Sequence, residues 1–100
     1  MKIKTIDING REWFDKVNGN SYFSATIDIN YKLKTWASFK LPYQYGYGTH
    51  YKDMAFKKIC EELSIKTGLS LWRYCEENNI ILRADIKTGC LKRDVINGGV

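Results

Sequence analysis

The chain is expected to fold as an α+β domain. The expected architecture is an antiparallel sheet of about four to five strands with two helices on one face, in the order β-β-β-α-α-β-β. Three observations lead there. Residues 22–31 alternate cleanly, with Phe23, Ala25, Ile27, Ile29 and Tyr31 on one side and Ser24, Thr26, Asp28 and Asn30 on the other. Residues 52–63 place Phe56, Ile59, Cys60 and Leu63 at the i, i+3, i+4, i+7 spacing of a helix with one apolar face. Residues 80–86 return to period two, with Ile80, Leu82, Ala84 and Ile86 alternating with Ile81, Arg83 and Asp85.

The elements follow in order. Residues 2–8 form a first strand, and Asn9-Gly10 reads as a two-residue hairpin turn, because both central positions of a type I′ turn need positive φ. Residues 11–15 then return, and Asn18-Gly19 makes a second turn into the alternating strand. A further strand, residues 35–41, puts Ala37, Phe39 and Leu41 on one face and Lys34, Trp36, Ser38 and Lys40 on the other. Pro42 is expected to end it, since proline cannot donate to a ladder. Thr49 is a candidate N-cap for the long helix and Gly68 its stop. Lys57–Glu61 and Lys58–Glu62 lie at i, i+4 on the wet face. Ser70 caps a shorter helix over 71–78, with Leu71, Trp72 and Cys75 on one face. After the clear strand at 80–86, Lys87-Thr88-Gly89 turns the chain, residues 91–96 complete a hairpin, and Asn97-Gly98-Gly99-Val100 is a frayed tail. The pentapeptide Thr5-Ile6-Asp7-Ile8-Asn9 recurs at 26–30, which marks two strands of similar pattern and not a repeat architecture.

Residues 1–100 make one domain, large enough for a single modest core. No stretch approaches the roughly 18 consecutive apolar residues of a membrane span. The start, Met1-Lys2-Ile3-Lys4-Thr5-Ile6-Asp7, lacks an apolar signal core. Cys60, Cys75 and Cys90 are odd in number and far apart, which argues against a disulfide framework. The expectation is a cytoplasmic protein. The net charge of +5 favours anionic partners mildly, since its 16 Lys and Arg are spread along the chain and not clustered.

The densest local signal is Tyr43-Gln44-Tyr45-Gly46-Tyr47-Gly48-Thr49-His50-Tyr51, which holds four of the seven tyrosines and the single histidine. Two readings are open. The segment is either a recognition loop, because Tyr offers large contact area at low entropy cost, or a structural latch whose rings are buried at the rim of the domain. At most one exposed ring among Tyr43, Tyr45, Tyr47 and Tyr51 decides for the latch.

No catalytic constellation accompanies His50. Cys60 and Cys75 fall on apolar helix faces, where a thiol behaves as a small hydrophobe, and no nucleophile elbow is present. Positions 50, 60, 75 and 90 lack the paired spacing of zinc sites. Gly46-x-Gly48 lacks the third glycine and the strand–helix context of a phosphate loop. Neither enzyme activity, a metal nor a cofactor is expected. The stripe Lys34, Trp36, Ser38, Lys40, with Lys32 before it, matches the pattern of a single-stranded nucleic acid site, in which rings stack on bases and cations follow the backbone. Its plain alternative is a covered face or a lone surface ring rimmed by lysines.

Two stretches, Trp13-Phe14-Asp15-Lys16-Val17-Asn18-Gly19-Asn20-Ser21-Tyr22-Phe23-Ser24 and Tyr45-Gly46-Tyr47-Gly48-Thr49-His50-Tyr51, resemble a group of small uncharacterised proteins carried by bacteriophages and related mobile elements. The likeness covers roughly the first half of the chain. In that group a histidine often follows the tyrosine where this chain has Phe23. The resemblance implies a viral origin more than a reaction. It also implies that the Trp13–Tyr22 hairpin and the tyrosine segment lie side by side, with Trp13 and Phe14 walling the rings.

These readings converge on a phage accessory protein that binds a host protein or protein–nucleic acid complex in the host cytoplasm, with inhibition of a defence system such as CRISPR-Cas as one outcome. The alternative is a single-stranded DNA or RNA binder. The residues assigned to contact are Lys34, Trp36, Lys40, Tyr43, Tyr45, Tyr47, His50 and Tyr51. An enzyme built on His50 ranks last.

Overall fold

The computed structural model describes residues 2–98. Its elements are β1 (Thr5–Asp15), β2 (Asn20–Ile29), β3 (Ala37–Tyr45), α1 (His50–Leu63), α2 (Leu71–Glu77), β4 (Ile81–Lys87) and α3 (Lys92–Gly98). The α+β class is as the sequence predicts, and so are the alternating strand, the long helix and the capped short helix. Gly99 and Val100, the end of the expected frayed tail, lie outside the described residues.

The strands form one sheet in the order β3-β2-β1-β4. The recurring pentapeptides lie against each other, with Ile6 opposite Ile29 and Ile8 opposite Ile27. These four isoleucines are at most 1% exposed. Together with Phe23, Ala25 and Leu41 they form the inner face, on which Tyr51, Ala55, Phe56, Ile59, Leu71 and Cys75 from α1 and α2 pack. The same pairing sets Asp7 opposite Asp28 on the outer face. Like charges directly opposed are unfavourable, and each carboxylate has its own partner. Arg83 binds Asp7 in two-pronged fashion at 2.6 and 3.0 Å, and the Trp36 indole N–H donates to Asp28 at 2.9 Å.

Asn9-Gly10 does not turn; β1 runs straight through it. A Cβ on Gly10 would lie 3.1 Å from Ile86 and 3.3 Å from Tyr51. The glycine therefore lets β4 and α1 close over β1, and its φ is not positive. The first reversal is at Asn18-Gly19, as expected, with Gly19 at φ +72°. There the Asp15 side chain accepts from the Val17 and Asn18 backbone N–H groups.

Pro42 does not end β3 either. The ladder pairs Ala25 with Leu41 and Phe23 with Gln44, so Pro42 and Tyr43 together face Ser24 in a bulge. An edge strand with a bulge is where proline's missing donor is tolerated. Without the extra residue, Leu41, Tyr43 and Tyr45 would share the inner face. With it, Leu41 and Gln44 point inward, while Tyr43 and Tyr45 stand on the outer face around Tyr22.

The expected continuation of alternation to Tyr31 stops two residues earlier, at Ile29. Asn30 takes a left-handed backbone, φ 53°, and its fully buried side chain ties three segments together. Its Oδ1 accepts from the Lys4 and Thr5 N–H groups, and its Nδ2 donates to the Lys2 carbonyl and the Thr35 hydroxyl. Lys34 and Trp36 consequently sit in the turn and not on a strand.

α1 ends earlier than Gly68, at a left-handed Ser64 whose N–H bonds the Cys60 carbonyl. Thr49 holds the N-cap position without a side-chain cap bond. Ser70 caps α2 as expected, accepting from Arg73 N–H. The α1–α2 crossover carries the chain across the inner face, so β4 arrives beside β1 running parallel to it. The sheet is therefore mixed and not purely antiparallel.

The expected last strand is instead α3, and it lies on the outer face. Cys90 N–H docks on the Glu12 carbonyl. The Ser24 hydroxyl, on the outer side of β2, donates to the Val95 carbonyl. Val95 is fully buried, whereas Leu91 and Ile96 remain exposed. The helix thus buries one apolar side chain, Val95, while its carbonyl ties the segment to Ser24.

Candidate functional site

The outer face divides into two ends. At the end formed by the Asn18-Gly19 turn and the close of β3, rings accumulate. The turn fixes Asp15 opposite Asn20 and hence Trp13 opposite Tyr22. Trp13 stacks on Tyr22 at 5.8 Å between ring centroids. Tyr22 in turn stacks on Tyr43 at 5.1 Å and meets the edge of Tyr45 at 5.8 Å. Lys92 of α3 holds its ammonium 5.3 Å from the Trp13 ring centroid. The hairpin and the tyrosine segment thus pack side by side, joined also by Gly46 N–H to the Ser21 carbonyl at 3.0 Å.

The four tyrosines of the segment separate into two pairs. Tyr51 enters the core and Tyr43 is half-buried in the ring stack. Burial pushes both phenols above their ordinary range, with the charges of Asp85 and Asp15 adding to the effect at Tyr51 and Tyr43 respectively. Tyr45 and Tyr47 are 55% and 70% exposed. Two exposed rings exceed what a pure latch allows, so the segment has a latch half and an exposed half.

His50 opens α1 and meets Phe23 edge-on, with ring centroids 6.0 Å apart. Phe23 itself is core, so in this chain that position serves packing. Gly46 makes the arrangement possible: a Cβ there would sit 2.6 Å from both the Phe23 ring and the His50 ring. Beside them Tyr45, Gly46, Tyr47, Thr49, His50 and Asp53 line an open cavity of about 360 Å³.

The other expected contact residues lie elsewhere. Trp36, at the far end of β3, is separated from Tyr45 by about 30 Å of chain at strand spacing. It is half exposed, meets Tyr31 edge-on at 4.8 Å and bonds Asp28. Lys34 is exposed in the adjoining turn, beside Lys2, Lys4 and Leu33. Lys40 is exposed midway along β3, across from Thr26. The assigned residues therefore do not form one contiguous surface, and the ring of the stripe stands next to a carboxylate.

Cys75 is buried and Cys60 half-buried among core side chains, and burial raises both thiols, which disfavours the thiolate. Among the described residues no three His, Cys, Asp or Glu side chains come together as metal ligands, and no helix is long and apolar enough to cross a membrane.

Sequence reading missed Tyr22 and Asp53. The first was accessible from the Asn18-Gly19 turn, whose register dictates the Trp13–Tyr22 pair. The second reads as ordinary wet-face charge, and only the path of residues 45–49 brings it to a cavity. No protein-family model matches the chain, and no match is found among curated proteins or solved structures.

Proposed function

We propose that this chain is a phage-borne accessory protein that acts by binding and not by catalysis. It docks on a host macromolecule in the host cytoplasm through the tyrosine end of its sheet. The observation that carries the reading is the pairing of two exposed rings, Tyr45 and Tyr47, with a supporting stack of Trp13, Tyr22 and Tyr43. Exposed aromatic side chains on a rigid support are suited to anchor an interface, because little side-chain entropy is lost when they are covered. The likeness of the same two stretches to phage proteins points to a bacterial host. Blocking a host defence complex such as CRISPR-Cas is the outcome that such binding would serve.

Affinity capture from bacterial lysate, analysed for both protein and nucleic acid, tests the reading. The Tyr45→Ala, Tyr47→Ala double variant should lose the captured partner while keeping the wild-type circular dichroism spectrum. Undiminished capture by a folded double variant would overturn it.

A further inference from the structure

The cavity at the tyrosine end has a chemistry of its own. Its walls include Tyr45, Tyr47 and His50, and one carboxylate, Asp53, stands at its edge. Among the described residues Asp53 makes no ion pair or hydrogen bond. The chain holds 16 Lys and Arg, yet none lines this cavity. The nearest in sequence, Lys52, sets its ammonium 5.9 Å from the Tyr51 ring centroid.

Ring faces carry negative quadrupole potential, and a carboxylate adds a full negative charge. A nucleic acid phosphate would meet repulsion from Asp53 and no compensating cation in the lining. A cationic side chain meets complementary charge, with ring faces for a planar guanidinium and an acceptor pair for its N–H fork.

We propose that this cavity receives an arginine side chain of a partner protein, with Tyr45 and Tyr47 contacting the guanidinium and Asp53 accepting its hydrogen bonds. The proposal rests on the reading of this end as the docking surface and names what enters it. It makes the partner a protein with an exposed arginine, such as one whose own surface is built to bind nucleic acid.

The test uses the full-length protein labelled with ¹⁵N and three probes: N-acetyl-arginine methylamide, its uncharged citrulline counterpart, and uridine monophosphate. The arginine compound should shift the amides of Gly46, Tyr47, Thr49 and Asp53, with a dissociation constant on the order of 10 mM, the range for a single side chain out of context. Citrulline should bind about threefold to fivefold more weakly, and Asp53→Asn should weaken arginine binding by a similar factor. Equal binding of arginine and citrulline, unchanged affinity in Asp53→Asn, no shift at these amides, or tighter binding of uridine monophosphate there would each overturn the proposal. The two readings fail separately. Capture from lysate that survives the double tyrosine variant removes the docking surface. Capture lost in that variant but fully retained in Asp53→Asn, with no arginine response, removes only the arginine.

Discussion

Tyr22 lies face to face on Tyr43, with ring centroids 5.1 Å apart and planes 8° from parallel. Their contact crosses the bulge at Pro42, so it exists only because β3 holds one residue more than β2 at that point. Tyr22 also contacts Trp13 and Tyr45, which makes it the centre of the stack. Tyr22→Ala should therefore cost about 2–3 kcal/mol, combining lost burial with lost ring pairs. Tyr45→Ala, at the exposed rim, should cost less than about 1 kcal/mol. Thermal unfolding of the two variants should separate them by roughly 5 °C or more.

Gly46→Ala is expected to destabilise although the φ of Gly46 is ordinary for any residue. The added methyl would lie 2.6 Å from both Phe23 and His50, and Phe23 is core. Overpacking of this kind costs about 1–3 kcal/mol. Pairing it with His50→Ala should recover part of the loss, because one of the two obstructing rings is then gone. Urea denaturation of both variants measures this, and no recovery would place the whole conflict at Phe23.

Asn30→Ala should be among the most damaging polar substitutions. It removes two acceptor and two donor contacts that join residues 2–5 to the turn before β3, and it forces alanine into a left-handed backbone. The expected loss is about 2–4 kcal/mol. Asn30→Gly relieves the backbone but not the hydrogen bonds, so its midpoint should fall between wild type and Asn30→Ala.

Alkaline pH should weaken the fold in a defined way. Burial raises the Tyr51 phenol above its ordinary value of 10.0, with Asp85 adding to the shift. A raised folded value means that the unfolded chain releases its proton first. The contribution is complete below about pH 10 and disappears as pH rises through the folded value. Unfolding free energy should be level from about pH 7 to 8, begin to fall near pH 9 as the thiols of Cys60 and Cys75, raised by burial, ionise in the unfolded chain, and fall further above about pH 10 as Tyr51 does. Tyr51→Phe keeps the ring and should flatten that fall, while Tyr43, raised in the same direction, retains a smaller share. Denaturant titrations at pH 8, 10 and 11 give the comparison.

The Lys34–Trp36 end is predicted to be dispensable for docking at the tyrosine end. Trp36 meets Tyr31 and satisfies Asp28, which faces Asp7 across the strands. Lys34→Ala, Trp36→Ala should lower stability by about 1 kcal/mol and leave lysate capture unchanged. Capture of single-stranded nucleic acid that falls steeply with salt, and is lost in this variant, would shift the assignment to the alternative surface.

Much of the fold is legible along the chain because local rules and tertiary packing agree there. The alternation of Phe23, Ala25, Ile27 and Ile29, the helical spacing of Phe56, Ile59 and Leu63, the Ser70 cap and the Asn18-Gly19 turn each depend on neighbours a few residues away. They determine the α+β class, most element types and the concentration of rings at residues 43–51. Only the tertiary structure decides what contacts across the chain control. Gly10 stays extended because Ile86 and Tyr51 need its missing side chain. Pro42, which has no N–H to give the ladder, sits in a bulge of the edge strand, and that one extra residue carries Tyr43 and Tyr45 to the outer face. β4 joins β1 in parallel because two helices intervene, and residues 92–98 form a helix that buries Val95 and leaves Leu91 and Ile96 exposed. The tyrosine cluster is written in the sequence. Its division into a buried half and an exposed half, with Asp53 beside the latter, is decided by where the β3 bulge sets Tyr43 and Tyr45 around Tyr22 and where the start of α1 turns Tyr51 into the core.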